Sequence, residues 1–399
     1  MKVKKNIVIT IIIFGFSFLI FLCTMLGFYS PWSKPLVVGK GEMAAFGECG
    51  DYFLIIYGSS YISNDIGRGI SGPISSIYAI LSNDGENWSE PKLLSKMNDV
   101  FFSTPSIIPY EDGIMVIWDW SQDFVEGEKI KHKREVVFVK TNDCQNWSVP
   151  ETIETLPFEA KQEEKEKSNY LLSIMKLRND KIAILWHTTE KVGDQTLYHG
   201  INYSESFDLL TWSQKEDVPM SENVSTASLF EEEENKIIIP YAISDSYTIN
   251  ISERKEGIWT NTRQILDAEF YGGSPFLMKV SPEEYWLFYK SGWEIYYATS
   301  HNLKEWSNPM HITRESTNEY LGNSPILLKN NKIWIQYISH TKSIDYSSPF
   351  NPESSNEIKI RYYDSTNKSK RILFYMIIPT LFSLIFTGMS VLLLRFLDR

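Results

Sequence analysis

The sequence predicts an all-β protein, a six-bladed β-propeller flanked by an N-terminal and a C-terminal transmembrane helix. Three observations predict this fold. A short polar segment ending in tryptophan recurs along the chain, six apolar strands carry an aromatic residue at a matching position, and one long apolar segment lies near each end. Repeated units of short strands are typical of propellers, and each apolar segment is long enough to cross a bilayer as a helix.

The recurring polar segment is interpreted as a tight turn between two strands, here called the box. Its first copy spans residues 82–88 and reads Ser-Asn-Asp-Gly-Glu-Asn-Trp. Glycine can adopt positive φ, aspartate can accept hydrogen bonds from the amides of the turn, and tryptophan fills the space beneath it. Further copies begin at Thr141, Ser206 and Ser300, and a degenerate copy spans residues 252–259.

Six apolar strands are predicted to be the second strand of each blade. Near-continuous apolar strands indicate sheets that are buried on both faces, as stacked blades require. The sixth unit has only three predicted strands, so the short strand at residues 36–38 is expected to supply the fourth and close the ring. The aromatic residues of the six strands are Tyr57, Trp118, Trp186, Tyr241, Tyr289 and Tyr337.

The two apolar segments define the predicted domains. These are a cytoplasmic tail and transmembrane helix at 1–34, the propeller at 35–363, a linker at 364–371, and a second transmembrane helix with a short tail at 372–399. A cleaved signal peptide is disfavoured because the first apolar run is long and no small-residue cleavage site follows it. The basic amino terminus favours a cytoplasmic location for both tails, which predicts a two-pass protein of the cell membrane with an extracytoplasmic propeller.

The charge of the predicted propeller restricts its partners. The tails hold nine of the 39 basic and one of the 50 acidic residues, so the middle of the chain has 30 basic and 49 acidic side chains, a formal charge of −19. This charge disfavours a nucleic acid partner. No motif for a metal or cofactor is present, so none is expected. Cys49 and Cys144 fall in predicted turns on one rim of adjacent units, and a disulfide between them is a hypothesis.

The box pattern at Ser82, Thr141, Ser206 and Ser300 resembles the Asp-box (BNR) repeat of the sialidase, or neuraminidase, superfamily. The resemblance covers about residues 36–363 and implies a six-bladed propeller whose boxes lie on the face away from the active site. The boxes here are one residue shorter than is usual in that family and also resemble those of five-bladed glycosidases. The aspartate and tryptophan of a box build the hairpin, so the box carries little information about function.

The arginines expected from this resemblance are missing. Sialidases hold the carboxylate of sialic acid with three arginines, the first of them at the start of the first blade. The corresponding residues 42–45 contain no arginine. Residues 222–225 and 270–273, at the first (inner) strands of later units, contain none either. Planar bidentate guanidinium groups are not easily replaced in this role. Arg68, in the first insertion, is the only arginine expected at the open rim, so an authentic sialidase is disfavoured.

Glycoside hydrolysis is still possible without the three arginines, because it requires a pair of carboxylates, which the sequence can supply around the funnel at the centre of the open rim. Asp119, His187 and Lys290 each follow the aligned aromatic residue of their strand, where the chain approaches the open rim. Asp65 lies in the first insertion and Glu269 directly precedes the fifth inner strand. Asp65, Asp119 and Glu269 are the candidate catalytic residues, and His187, Lys290 and Arg68 are candidates for binding substrate.

Four of these candidates also fit a structural role. Asp119 can cap a turn at residues 120–121, His187 can be a satisfied rim histidine, Lys290 can pair with a neighbouring carboxylate, and Asp65 can belong to a turn. Among aromatic residues, Trp120, Trp293 and Tyr271 are candidates to stack on sugar rings. The loops of Trp120 and Trp293 are expected to be exposed, whereas Trp118 is expected in the core.

These observations predict a membrane-anchored extracytoplasmic propeller that recognises carbohydrate through the rim opposite the boxes. Long insertions between second and third strands, in units one, two, three and six, mark that rim as the binding face. Two alternatives to a glycoside hydrolase stay open: a non-catalytic glycan-binding or adhesion module, and a membrane-anchored scaffold. The spacing of two carboxylates across the funnel discriminates hydrolysis from binding.

Overall fold

A computed structural model describes most of the region predicted to be the propeller. The described residues are 32–62, 73–98, 101–126, 129–158, 161–162, 167–192, 195–220, 224–243, 248–260, 262–267, 272–292, 294–313, 318–321, 325–340 and 356–364. The two apolar segments predicted to be transmembrane helices lie outside these ranges. Within them, the secondary structure is β, and no helix is long and apolar enough to cross a bilayer.

The strands form six separate antiparallel sheets, which are the six predicted blades. The first strand along the chain, β1 (Leu36–Lys40), belongs to the last blade. Blade 1 contains β2 (Glu42–Cys49), β3 (Tyr52–Ile62), β4 (Pro73–Ser82) and β5 (Lys92–Asn98). Blade 2 contains β6 (Phe101–Phe102), β7 (Ser106–Tyr110), β8 (Gly113–Glu126), β9 (Lys129–Thr141), β10 (Glu151–Thr152) and β11 (Lys161–Gln162). Blade 3 contains β12 (Lys167–Lys176), β13 (Ile182–Val192), β14 (Gln195–Ser206) and β15 (Glu216–Val218).

The second half of the chain repeats this order. Blade 4 contains β16 (Val224–Ala227), β17 (Phe230–Glu233), β18 (Lys236–Ile243), β19 (Thr248–Lys255), β20 (Ile258–Trp259) and β21 (Arg263–Asp267). Blade 5 contains β22 (Gly272–Ser281), β23 (Glu284–Ser291), β24 (Glu294–Ser300) and β25 (Met310–His311). Blade 6 contains β26 (Asn318–Tyr320), β27 (Ile326–Lys329), β28 (Lys332–His340), β29 (Asn356–Asp364) and β1.

The ring closes as the sequence predicts. Strand β1 pairs antiparallel with β29, with Leu36 opposite Ile360 and Lys40 opposite Glu357, so the first strand of the domain completes the last blade. First strands of successive blades contact one another in an unbroken series, β2, β7, β12, β16, β22, β27 and back to β2. This body comprises Pro35–Lys329 and Ile333–Arg361; in the flanking unit, Trp32 forms a bridge with Tyr363.

Stacked blades bury the aligned aromatic residues between sheets, because both faces of each second strand are covered. Trp118 and Tyr337 have no exposed surface, and the other four are at most 4% exposed. The expectation that Trp118 belongs to the core is confirmed.

The boxes are hairpin turns held by their own side chains. Ser82 Oγ accepts a hydrogen bond from Gly85 N at 2.8 Å, and Asp84 Oδ1 accepts one from Asn87 N at 2.8 Å. Asn87 Nδ2 donates to Asp84 Oδ2 at 2.7 Å, and Trp88 Nε1 donates to the Gly85 carbonyl at 3.2 Å. These bonds lower the pKa of the Asp84 carboxyl well below its usual range. The structural interpretation of the box is therefore confirmed.

One position of each box has a left-handed backbone and points at the preceding blade. Gly85 has a φ of +78°, and a Cβ there would lie 2.5 Å from the Trp334 ring of blade 6, so only glycine fits. Leu209 and Leu303 adopt φ of 62° at the same position and join apolar clusters shared with the preceding blade. In the second box, Cys144 takes this position with a φ of 63°.

Cys144 forms a disulfide with Cys49 of the preceding blade, as hypothesised from the sequence. The two Cα atoms are 5.8 Å apart and both residues are buried. The separation along the chain is 95 residues, and cross-links that close long loops restrict the unfolded chain most. The disulfide thus joins blades 1 and 2 covalently where the other boxes use apolar contacts.

Candidate functional site

The two ends of the propeller differ in their connections. One end carries the turns between third and fourth strands, including the boxes, and we call it the box rim. The opposite end, where second strands lead into third strands, is the long-loop rim. Several of its insertions prolong the hairpins instead of forming loops: β8 and β9 are 14 and 13 residues long, and β13 and β14 are 11 and 12.

Asp119 lies near the long-loop rim but within a strand. It sits midway along β8 and is 1% exposed, so it does not cap a turn at residues 120–121 as one prediction allowed. Arg134 Nε donates to Asp119 Oδ2 at 2.5 Å, and Arg134 Nη1 donates to the Asn169 carbonyl at 2.8 Å. The backbone N–H of Asp119 donates to Ser103 Oγ at 3.1 Å. Asp119 Oδ1 is buried and accepts no hydrogen bond from any described residue.

The neighbouring blade adds an aromatic side chain and an imidazole. The Arg134 guanidinium lies over the Tyr170 ring, 4.0 Å from its centroid. Tyr170 and His187 face each other across β12 and β13, with ring centroids 5.3 Å apart in an edge-to-face arrangement. Tyr170 is 36% exposed, whereas His187 is 6% exposed. Burial and then the charge of Arg134 lower the pKa of His187 to about 4, against a hydrogen bond with the Val224 backbone.

We call Asp119, Arg134, Tyr170 and His187 the rim cluster. It combines a carboxylate oxygen that still has acceptor capacity, a guanidinium with most of its charge compensated, a neutral imidazole and a partly exposed aromatic face. A buried polar atom without a partner costs free energy, so its presence in a native protein requires a specific cause, such as a bound water, an ion or a functional role. The cluster therefore presents the partly exposed ring of Tyr170 at the surface and keeps an unused carboxylate acceptor, Asp119 Oδ1, buried beneath it.

The structure does not place every candidate in this cluster. Lys290 lies on β23 of blade 5, opposite Gly273 and Ile295, where burial lowers the pKa of its ammonium group.

Trp120 is 4% exposed and packs in the core shared by blades 1 and 2, so its predicted role as an exposed platform is wrong. The reason is that the insertion after Trp120 continues the strand, which keeps this indole between the sheets. Five candidates lie outside the described residues: Asp65, Arg68, Glu269, Tyr271 and Trp293.

Arg134 and Tyr170 were missed by sequence reasoning. Arg134 also corrects the expectation that Arg68 is the only arginine at this rim. The signal that reveals it is cross-strand register: Asp119 pairs with Val136, which makes Arg134, two residues earlier, its diagonal neighbour. That register can be predicted only if the insertion between β8 and β9 is known to continue the hairpin. Among the described residues, no cluster of histidine, cysteine and acidic side chains could hold a metal ion.

Comparisons with known proteins find the fold in solved structures only. No protein-family description and no curated protein sequence matches the chain. A Trypanosoma rangeli sialidase in complex with sialic acid superposes with a TM-score of 0.57 at 10% identity, covering 85% of this chain and 56% of that one. The protein has the sialidase-type six-bladed propeller fold. At this identity the likeness establishes the fold and leaves the activity to the site.

Other proteins with the sialidase-type propeller fold match over nearly their whole length. A protein of unknown function from Dyadobacter fermentans has a TM-score of 0.57 at 14% identity, over 84% of this chain and 99% of its own. The GH93 α-L-arabinofuranosidase of Fusarium graminearum, in complex with arabinobiose, has a TM-score of 0.52 at 11% identity, over 83% of this chain and 98% of its own. Proteins of this fold thus include sugar-binding enzymes that act on different sugars.

Proposed function

We propose that this protein is a membrane-anchored, extracytoplasmic propeller that binds carbohydrate at the rim cluster. The observation that carries the proposal is Asp119, a nearly fully buried carboxylate with one oxygen that accepts no hydrogen bond from the described residues. A sugar hydroxyl can donate to that oxygen once the side chains that bury it move aside, while the apolar face of a sugar ring can lie on the exposed part of Tyr170. The membrane anchoring is inferred from the apolar segments at 7–28 and 372–394 with their flanking basic residues.

The charges of the rim cluster favour a neutral sugar over an acidic one. Arg134 is already paired with Asp119, and its planar face is covered by Tyr170. A guanidinium used in this way is not free to hold a sugar carboxylate by two parallel hydrogen bonds. The formal charge of −19 on the middle of the chain also repels anionic ligands.

Glycoside hydrolysis is the second candidate function, and the same oxygen of Asp119 favours it. A hydrolase requires a second carboxylate about 5–10 Å from the first. Asp65 and Glu269 are the residues predicted to supply it, and both precede or follow strands that reach the long-loop rim. Binding is the simpler proposal because it requires only the groups that the rim cluster contains.

A glycan array probed with the full chain in nanodiscs tests the proposal, together with a panel of aryl glycosides. We expect selective binding of neutral glycans, and a loss of about tenfold or more in affinity for Asp119→Asn. The control is Asp217→Asn, which removes an exposed carboxylate from an outer strand and leaves binding unchanged. Turnover that is abolished by Asp119→Asn and by Asp65→Asn establishes hydrolysis. Absence of both binding and turnover across the panel contradicts the proposal.

Two substitutions of Tyr170 test the stacking contact separately. Tyr170→Phe keeps the ring and is expected to keep binding, whereas Tyr170→Ala removes it and is expected to weaken binding by about tenfold, as lost aromatic stacking does. Equal binding by both variants excludes Tyr170 as the platform.

A further inference from the structure

The most exposed apolar side chains of the described residues are all on the box rim. Val149 is 75% exposed, Ile258 71%, Phe207 67% and Leu210 62%, and the remaining large apolar residues in this class are 36–49% exposed. Val149 follows the last residue of the second box by two positions, Phe207 and Leu210 belong to the third, and Ile258 lies in the matching hairpin of blade 4. They occupy the corresponding turns of three consecutive blades.

The chain enters and leaves the propeller at this same rim. Strands β4, β9, β14 and β24, the third strands of their blades, all run from the long-loop rim into a box. Strand β29 is the third strand of blade 6 and therefore runs in the same direction, towards the box rim. Leu36, at the start of β1, lies opposite Ile360 near the end of β29, whereas Gly41 N donates to the Asn356 carbonyl at the other end. Both connections to the tails therefore depart from the box rim.

The lengths of chain beyond these points are apolar and long enough to reach a bilayer. Thirty-five residues precede Leu36 and include the apolar run 7–28, and the apolar run 372–394 follows Arg361 by about ten residues. Two short tethers on one rim hold that rim towards the surface in which they are anchored. Exposed phenylalanine and leucine side chains are the groups that insert at the boundary between lipid headgroups and acyl chains.

We propose that the box rim of blades 2 to 4 is a lipid-facing surface, on which Val149, Phe207, Leu210 and Ile258 contact the bilayer. This inference rests on the membrane anchoring in the proposed function. It adds an orientation: the box rim faces the membrane, and the rim cluster faces away from it towards ligands outside the cell. The net negative charge of the propeller favours contact with a zwitterionic surface over an anionic one.

Photolabelling from the lipid tests this orientation. The full chain is reconstituted in phosphatidylcholine nanodiscs whose lipids carry a diazirine near the headgroup, and labelled peptides are identified by mass spectrometry. We expect label in both apolar tails and in the turns that carry Val149, Phe207, Leu210 and Ile258. Substituting both Phe207→Ser and Leu210→Ser is expected to reduce label in the third box about fivefold with the tails labelled as before. Tyr170→Ser, on the opposite rim, is the matched control and leaves the pattern unchanged.

The other outcomes separate this inference from the anchoring. Label in the tails but not in the box-rim turns, or label on the long-loop rim, overturns the orientation and leaves the anchoring intact. Absence of label from both tails contradicts the anchoring itself. Protection of the box rim by a second copy, seen as a dimer in mass photometry with unlabelled turns, also overturns the lipid contact.

Discussion

The interface between blades 3 and 4 and the long-loop rim of blades 2 and 3 both bury charged side chains, but they satisfy them to different degrees. At the blade interface, Arg254 makes two hydrogen bonds to Glu216, at 2.9 and 2.7 Å, and one to Glu205 at 3.1 Å. Every carboxylate oxygen of the two glutamates accepts at least one hydrogen bond, and the further donors are Lys181, Tyr203 and Trp259. We call this set the interblade network.

The rim cluster has fewer hydrogen bonds, although Asp119 and Arg134 are more deeply buried than Glu216 and Arg254. Asp119 Oδ2 accepts from Arg134, while Asp119 Oδ1 accepts from none of the described residues. A fully satisfied network stabilises one arrangement of the blades, whereas an incompletely satisfied one retains capacity for a ligand. The comparison therefore assigns the interblade network to stability and the rim cluster to binding.

The largest expected effect is on the interblade network. Arg254→Met leaves the partly exposed Glu216 carboxylate without its main partner and removes one of three donors to the buried Glu205 carboxylate, which is expected to lower the free energy of unfolding by about 2–4 kcal/mol. Urea unfolding of the full chain measures it. Lys215→Met, which removes an exposed cation paired with Asp217, is the control and is expected to change stability by less than about 0.5 kcal/mol. A loss below about 1 kcal/mol for Arg254→Met contradicts the stabilising role.

The two regions should also lose stability in different pH ranges. The folded pKa of His187 is about 4 and its ordinary value is 6.5, so the unfolded chain takes up a proton first as pH falls. The contribution of His187 to the free energy of unfolding is therefore fully present above pH 6.5. It is lost as the pH falls from 6.5 to about 4, and the loss is about 2–3 kcal/mol.

The carboxylate of Glu205 behaves differently. Burial raises its pKa, but hydrogen bonds from Lys181 and Tyr203 and the charge of Arg254 outweigh burial, so the folded pKa is below 4.5. Its contribution is present above pH 4.5 and is lost only as pH falls further. Urea unfolding of the wild type and of His187→Gln, measured from pH 7.5 to 4, separates the contribution of His187 from that of Glu205. Identical pH profiles for both chains would mean that folding does not shift the pKa of His187.

A smaller effect on stability is expected at Asp119. Asparagine retains an acceptor for Arg134 and removes a charge that is only half satisfied, so Asp119→Asn is expected to lower the free energy of unfolding by about 1–2 kcal/mol, less than Arg254→Met. Carbohydrate binding should nevertheless be lost. The comparison between the two regions fails if Asp119→Asn destabilises as strongly as Arg254→Met and binding persists in the fraction that remains folded.

The fold was predictable because its determinants are local. A box is built by residues within seven positions of one another, so repetition revealed the blades and the closure by β1. Cys144 lies in a box and Cys49 ends β2 at another tight turn on the same rim, so the disulfide could also be proposed from local pattern. The site depends on contacts between separate strands. Arg134 meets Asp119 across a hairpin, and Tyr170 comes from the next blade, so neither follows from the pattern that aligned Asp119 with His187.

Trp120 shows the limit of pattern reasoning at the rim. Its position after the aligned aromatic residue predicts the start of an exposed loop, because insertions usually form loops. In the structure β8 continues to Glu126, and the strand geometry turns Trp120 into the core beside Phe102. Whether an insertion extends a hairpin or forms a loop depends on its pairing with β9, which a single sequence does not encode locally.

Hydrogen exchange of the full chain, with and without a neutral oligosaccharide selected on the glycan array, tests the central claim most directly. Binding at the rim cluster predicts slower exchange in the segments around Asp119, Arg134, Tyr170 and His187, and unchanged exchange in the boxes and the interblade network. Protection that is confined to the box rim, or that persists undiminished in Asp119→Asn, would contradict the assignment of the carbohydrate site to the rim cluster.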